Sequence, residues 1–151
     1  MQQITVRQAI AYDLDALTTV FDGYRQFYGQ TSDLPAARTF LRARFNLRDS
    51  VVFIAHQGQL PVGFTQLYPS LSSVSMARVF VLNDLYVHPS ARRIGVAARL
   101  IAAAVHHARA EGAIRLSLST ACTNTSAQAL YASLGWKRDD QFLVYQYPIL
   151  P

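Results

Sequence analysis

Residues 79–110 read VFVLNDLYVHPSARRIGVAARLIAAAVHHARA: a β-branched and aromatic run, a short turn with two arginines and a glycine, then a long alanine-rich segment. No other stretch limits the possible folds so strongly. Val79 to Val87 is almost continuously apolar, the pattern of a central strand buried on both faces. Pro89 ends it, because proline has no N–H to give to a sheet ladder. Beyond the turn, Ala97, Leu100, Ile101, Ala104, Val105 and Ala108 recur at helical spacing and form one apolar stripe. The connection is Arg92-Arg93-Ile94-Gly95-Val96-Ala97. The first N–H groups of a helix have no intrahelical partner and carry partial positive charge, so a strand–glycine turn–helix is a generic anion cradle. Gly95 permits close approach to the backbone, and Arg92 and Arg93 add two full charges. That chemistry suits a diphosphate. A dinucleotide fingerprint is a poorer match, since the G-x-G-x-x-G triplet is absent.

The remaining chain supplies a mixed α/β framework. Ile4 to Ala9 alternates as a half-buried strand. Asp13 is placed to cap a helix running through Phe27, with Leu14, Leu17, Val20, Phe21 and Tyr24 inward. After the breakers Gly29 and Thr31-Ser32-Asp33, a second helix is expected from Leu34-Pro35 to about Leu47, with Phe40, Leu41, Phe45 and Leu47 inward. Ser50–His56 and Val62–Tyr68 read as strands joined at Gln57-Gly58-Gln59. Pro69 to Ser75 reads as a serine-rich loop, and Arg78–Val87 as a strand antiparallel to its predecessor. Gly112 suits the end of the central helix, followed by a strand at Ile114–Leu118. Asn124 or Ser126 opens another helix that Gly135 ends. A last strand is expected at Phe142–Tyr147, with a short one at Trp136–Arg138. The order β-α-α-β-β-β-α-β-α-β implies a mixed sheet with helices on both faces, and residues 1–151 are expected to form one domain.

Composition narrows the class further. A hydrophobic content of 51% excludes a disordered chain. No apolar run is long enough to span a bilayer, and MQQITVRQAI is not a signal pattern, so no membrane is expected and the cytoplasm is the default. One cysteine, Cys122, allows no internal disulfide, and without a neighbouring histidine it is a poor nucleophile. The net charge of +5 rests on thirteen arginines and one lysine. They are dispersed and lack aromatic–basic interleaving, so no nucleic acid is expected. Adjacent His106 and His107 do not share a helix face, His56 and His88 are isolated, and no metal is expected.

Arg92-x-x-Gly95-x-Ala97, on its strand–turn–helix, resembles the Q/R-x-x-G-x-G/A signature of the GNAT superfamily of N-acetyltransferases. Asn124-x-x-Ala127-x-x-Leu130-Tyr131, followed by Leu134-Gly135-Trp136, resembles the N-x-x-A-x-x-L-Y-x-x-x-G-[FW] segment of the same superfamily. Phe21 to Tyr28, with Asp33, resembles the histone-and-polyamine acetyltransferase branch and its bacterial relatives. The resemblance covers essentially the whole chain and implies the GNAT acyl-CoA N-acyltransferase fold, with acetyl-CoA as cosubstrate and, by analogy, a homodimer. It implies that the strand separates from its neighbour near Leu85, Tyr86 and Val87, where the pantetheine arm enters. Arg92 to Ala97, including Ile94 and Val96, would cradle the diphosphate, with Asn124, Ala127 and Tyr131 completing the cofactor site.

The implied reaction is direct attack of a primary amine on the thioester. The acceptor would be a small molecule: a polyamine, an amino acid or an amine-bearing antibiotic. In the superfamily the tyrosine at Tyr131 protonates the leaving thiolate, and a phenol of pKa about 10 keeps its proton at neutral pH. Many relatives carry a glutamate base at the position of Asn83, which cannot take a proton. Asp84 is the only carboxylate on the strand and so the candidate base, acting directly or through water, with a role as ammonium anchor equally open. Strand alternation sends Asn83 and Asp84 to opposite faces unless a bulge intervenes. Tyr24, Tyr28 and Asp33 are candidates for holding a cationic amine, against a plain packing and helix-capping role. A protein lysine or N-terminal acetyltransferase and a non-catalytic acyl-CoA-binding module are the alternative readings.

Overall fold

The computed structural model describes residues 2–150, which group into two compact units, one ending at Ser119 and one beginning at Thr120. In the first, β1 (Ile4–Gln8) leads through a 3-10 turn to α1 (Leu14–Phe27) and α2 (Leu34–Leu47). Then come β2 (Val51–Gln57), β3 (Leu60–Ser72), β4 (Ala77–Val87), a second 3-10 turn at Pro89–Ala91, α3 (Val96–Ala110) and β5 (Leu116–Ser117). The strands form one sheet in the order β1-β2-β3-β4-β5, antiparallel except for the parallel β4–β5 pair.

Alternation along the strands explains how the sheet carries helices on both faces. Val52, Ile54, Phe64 and Tyr86 join Leu17, Val20 and Phe21 of α1 and Leu41 of α2 in one buried cluster. Phe53 and Phe80 point the other way and flank the His107 ring of α3 at 5.7 and 5.6 Å. The central helix buries Val96, Leu100, Ile101, Ala104 and Ala108, while Ala97 and Val105 lie at its margin. One glycine is required by this packing: a Cβ on Gly63 would lie 2.7 Å from the backbone oxygen of Tyr86.

Several local expectations need correction. Asp13 precedes α1 but does not cap it; its carboxylate takes two 2.7 Å bonds from Arg7 and one of 2.8 Å from the Ile10 amide. The carboxylate is taken up by Arg7 of the preceding strand and by Ile10, and it makes no cap bond to the helix. Leu47, expected inward, is exposed. The loop expected from Pro69 is instead ladder: Pro69 to Ser72 pairs with Phe80 to Ala77. β2 pairs with β3 only as far as Leu67, so the missing Pro69 N–H faces an open edge and costs no ladder bond. β5 is shorter than the expected Ile114–Leu118, with two residues paired to β4.

The second unit contains α4 (Thr125–Ser133). Asn124 caps it, its side-chain oxygen accepting from the Ala127 amide at 3.2 Å, and Gly135 ends it with φ of 92°. Tyr131 and Trp136 rings lie 5.9 Å apart. Neither the strand expected at Phe142–Tyr147 nor the one at Trp136–Arg138 forms among the described residues. Phe142, Val144, Tyr145 and Tyr147 are exposed. Strand propensity becomes a strand only when a ladder partner takes up the backbone groups. No helix among the described residues is long and apolar enough to cross a membrane.

Candidate active site

The site is organised by an irregularity in β4. Gln66 pairs with Asp84 and Leu67 with Leu82, so Asn83 is an extra residue in the β4 ladder. This bulge cancels the alternation that would otherwise separate Asn83 from Asp84. Both line a cavity of about 440 Å³ together with Phe21, Tyr24, Phe40 and Tyr68. The Asn83 amide donates to Asp84 Oδ1 at 2.9 Å. Behind the carboxylate, Gln66 Nε2 donates to Asp84 Oδ2 at 2.7 Å, and Thr65 donates its hydroxyl to the Asp84 carbonyl at 2.8 Å.

Asp84 is buried at 5% exposure, and the phenols around it respond to that charge. Burial pushes the Tyr24 hydroxyl well above its usual value, helped by the Asp84 charge and a hydrogen bond to it. Tyr68 is raised to about 12, first by burial and then by the same carboxylate. Both phenols therefore stay neutral donors across the physiological range. The pocket is a buried carboxylate within aromatic walls, an arrangement that selects a cation.

Of the residues predicted to hold an acceptor, Tyr24 and Asn83 are brought together with Asp84. Tyr28 is exposed and packs its edge on Tyr24 at 5.1 Å, and it does not line the cavity. Asp33 also lies outside the lining; it caps α2 by accepting from the Ala36 amide at 3.1 Å. The linker between α1 and α2 is instead held by Asp22, which accepts from Ser32 and from the Asp33 amide. Tyr68, Phe40 and Gln66 escaped the sequence reading. Tyr68 ends the expected strand and pairs with Val81, and only the fold brings it to the cavity that Asp84 lines; nothing in its local sequence signals this.

Past the bulge, β4 leaves its other neighbour. β5 pairs only with Phe80 and Val81, so from Leu82 through Leu85, Tyr86 and Val87 that edge has no β5 partner among the described residues. Tyr86 itself is a core side chain, its ring beneath Gly23 of α1. The strand runs on into the Arg92–Ala97 turn, where Arg93 (φ 63°) and Gly95 (φ 87°) both take left-handed backbone. α3 has no side-chain cap at Gly95, and nothing lies within 4 Å of where a Gly95 Cβ would be. Open space above uncapped helix N–H groups fits a diphosphate. Arg92 is committed locally: its Nε donates to the Val87 carbonyl at 2.9 Å and its guanidinium sits 5.5 Å from the Phe27 ring. Arg93 and Ile94 are exposed beside the turn. Among the described residues no group of three or more His, Cys, Asp or Glu could hold a metal ion.

Comparison with known proteins supplies the family. The model of the Acetyltransferase (GNAT) family matches residues 15–136. An uncharacterized N-acetyltransferase of Bacillus subtilis (strain 168), YhfO, is 44% identical over 142 residues, covering 94% of this chain and 95% of its own. The crystal structure of a probable acetyltransferase, 40% identical, superposes with a TM-score of 0.91 over 97% of this chain and 99% of that one. An aminoglycoside N(6')-acetyltransferase type 1 of Klebsiella aerogenes is 30% identical over 101 residues, 66% of each chain. A strand that parts from its neighbour, an uncapped glycine turn and a family match across most of the chain converge: this protein belongs to the GNAT family and is an N-acetyltransferase.

Proposed function

We propose that the protein transfers the acetyl group of acetyl-CoA to a primary amine of a small molecule, a polyamine, an amino acid or an amine-bearing antibiotic, by direct attack. The observation that carries this reading is the aromatic cavity around buried Asp84, on the strand that continues into the uncapped Gly95 turn. The aminoglycoside acetyltransferase among the relatives supports a small-molecule acceptor. In this reading the amides of Arg93 to Ala97 hold the diphosphate, and backbone groups of Leu85 to Val87 receive the pantetheine arm. By the family resemblance, Asn124 and Ala127 are further candidates for contacting the cofactor. Acetyl-CoA supplies the activated acetyl group.

Asp84 receives the acceptor as an ammonium ion. An alkylammonium of pKa about 10.4 must lose a proton before its nitrogen can attack, and that proton leaves by way of Asp84 and water. Backbone N–H groups on β4 stabilise the oxyanion as the carbonyl is attacked. As the C–S bond breaks, Tyr131 gives its proton to the departing thiolate; the acylated nitrogen releases its second proton to water, and Tyr131 is reprotonated from water. The test is release of free CoA thiol from acetyl-CoA with a panel of polyamines, amino acids and aminoglycosides. Amine-dependent release, with mass-spectrometric detection of the acetylated amine, is expected. Release equal to the amine-free rate across the panel would refute the acceptor class.

A further inference from the structure

The carboxylate in the acceptor pocket is held by a second layer of buried polar groups. Gln66 on β3 is fully buried, at 0% exposure, where an apolar side chain would cost nothing in hydrogen bonds. Both ends of its amide are used. The Ser50 hydroxyl donates to Gln66 Oε1 at 2.8 Å, and Gln66 Nε2 donates to Asp84 Oδ2 at 2.7 Å. An ionised carboxylate only accepts, so the N–H side of the amide must face Asp84, and the Ser50 hydroxyl satisfies and anchors the Oε1 that points away from it. Asn83 donates to Oδ1 at 2.9 Å. An ionised carboxylate has about four acceptor sites. Gln66 and Asn83 take one on each oxygen, which leaves acceptor capacity for a ligand.

We infer that Gln66, anchored by Ser50, is a positioning residue that fixes Asp84 so that its free acceptor sites face the cavity and select a primary ammonium group. The inference rests on the acceptor-pocket reading above. A carboxylate free to rotate would turn toward water. Fixed in place, it presents its free acceptor sites among aromatic faces that add cation–π attraction. Gln66 touches no acceptor itself, since it does not line the cavity. The other charged side chain in the lining is Arg25, a cation, so the pocket offers one anionic anchor rather than several.

The test is calorimetric binding to the full chain, with 2-phenylethylamine and its uncharged analogue 2-phenylethanol as probes. The wild type is expected to bind the amine at least tenfold more tightly than the alcohol. Gln66→Met, close in size but unable to donate, is expected to bring that ratio to within about threefold of unity while acetyl-CoA affinity stays unchanged. Ser50→Ala, a milder change that preserves the core, is expected to lower the same ratio severalfold. Loss of packing alone would weaken both probes together and leave the ratio intact. A wild type that binds the two alike or binds neither, or variants that keep the wild-type ratio, would overturn the inference. Binding is measured without turnover, so amine selectivity with no acetyl transfer would sink the proposed reaction and leave the positioning role standing.

Discussion

At the scale of single residues, the chemistry depends on where burial and hydrogen bonding place a few polar groups. Tyr131 is the proposed proton donor, and Tyr131→Phe removes one oxygen without disturbing the ring. The variant is expected to keep acetyl-CoA affinity and lose roughly 100-fold or more in kcat, the usual worth of a positioned acid. Unchanged turnover would remove Tyr131 from the mechanism. Asp13 serves stability instead. Hydrogen bonds from Arg7 hold its carboxyl below the ordinary range, with burial opposing and the Ile10 amide assisting. Asp22 is lowered as well: burial works against it, but the Ser32 hydroxyl and the Asp33 amide outweigh that. A carboxyl depressed on folding stabilises the native state above its unfolded value, and the benefit is lost as pH falls through the folded value. Stability should therefore hold from neutral pH to about 4 and fall below it. Asp13→Asn, which breaks the pair with half-exposed Arg7, is expected to cost about 1–2 kcal/mol at pH 7 and to flatten the acid limb. Thermal unfolding between pH 3 and 7 measures both effects.

At the scale of elements, two glycines report on two different constraints. Gly63 lies where β3 passes closest to β4, and a Cβ there would strike the Tyr86 carbonyl oxygen. Gly63→Ala is expected to destabilise by about 2–3 kcal/mol, since backbone must move to admit the methyl group. Chemical denaturation would detect this, and a wild-type midpoint would mean that the strands can part freely. Gly95 has open space around it, but its φ of 87° disfavours any other residue. Gly95→Ala should cost only about 1–2 kcal/mol in stability while raising the KM for acetyl-CoA severalfold, as the turn shifts its amides. A lower stability with an unchanged KM would mean that the turn shapes the fold without touching the cosubstrate. The β4 bulge belongs to this scale as well. One extra residue puts Asn83 and Asp84 on one cavity, and neither side chain could contribute to it jointly in a regular strand.

For the whole molecule, a ligand that binds only the folded chain must raise its melting temperature. Acetyl-CoA at 100 times its dissociation constant should add about 2.7 kcal/mol, or roughly 5–10 °C for a chain of this length. No shift at millimolar acetyl-CoA would contradict the cradle. Much of this architecture was legible beforehand because it depends on local pattern. The continuous apolar run of β4, the stripe on α3 and the glycine between them determined a strand, a helix and the turn joining them. Asn124 and Gly135 bounded α4 in the same way. Local pattern cannot report register, and register decided the rest. Which residue of β3 faces Asp84, the bulge that turns Asn83 to the same side, and the withdrawal of β5 after Val81 are all properties of pairs of strands. Tyr68 and Gln66 acquired their places only through that pairing. The run at Phe142–Tyr147 shows the converse: residues suited to a strand form none among the described residues, because a ladder is made by two segments and written in neither alone.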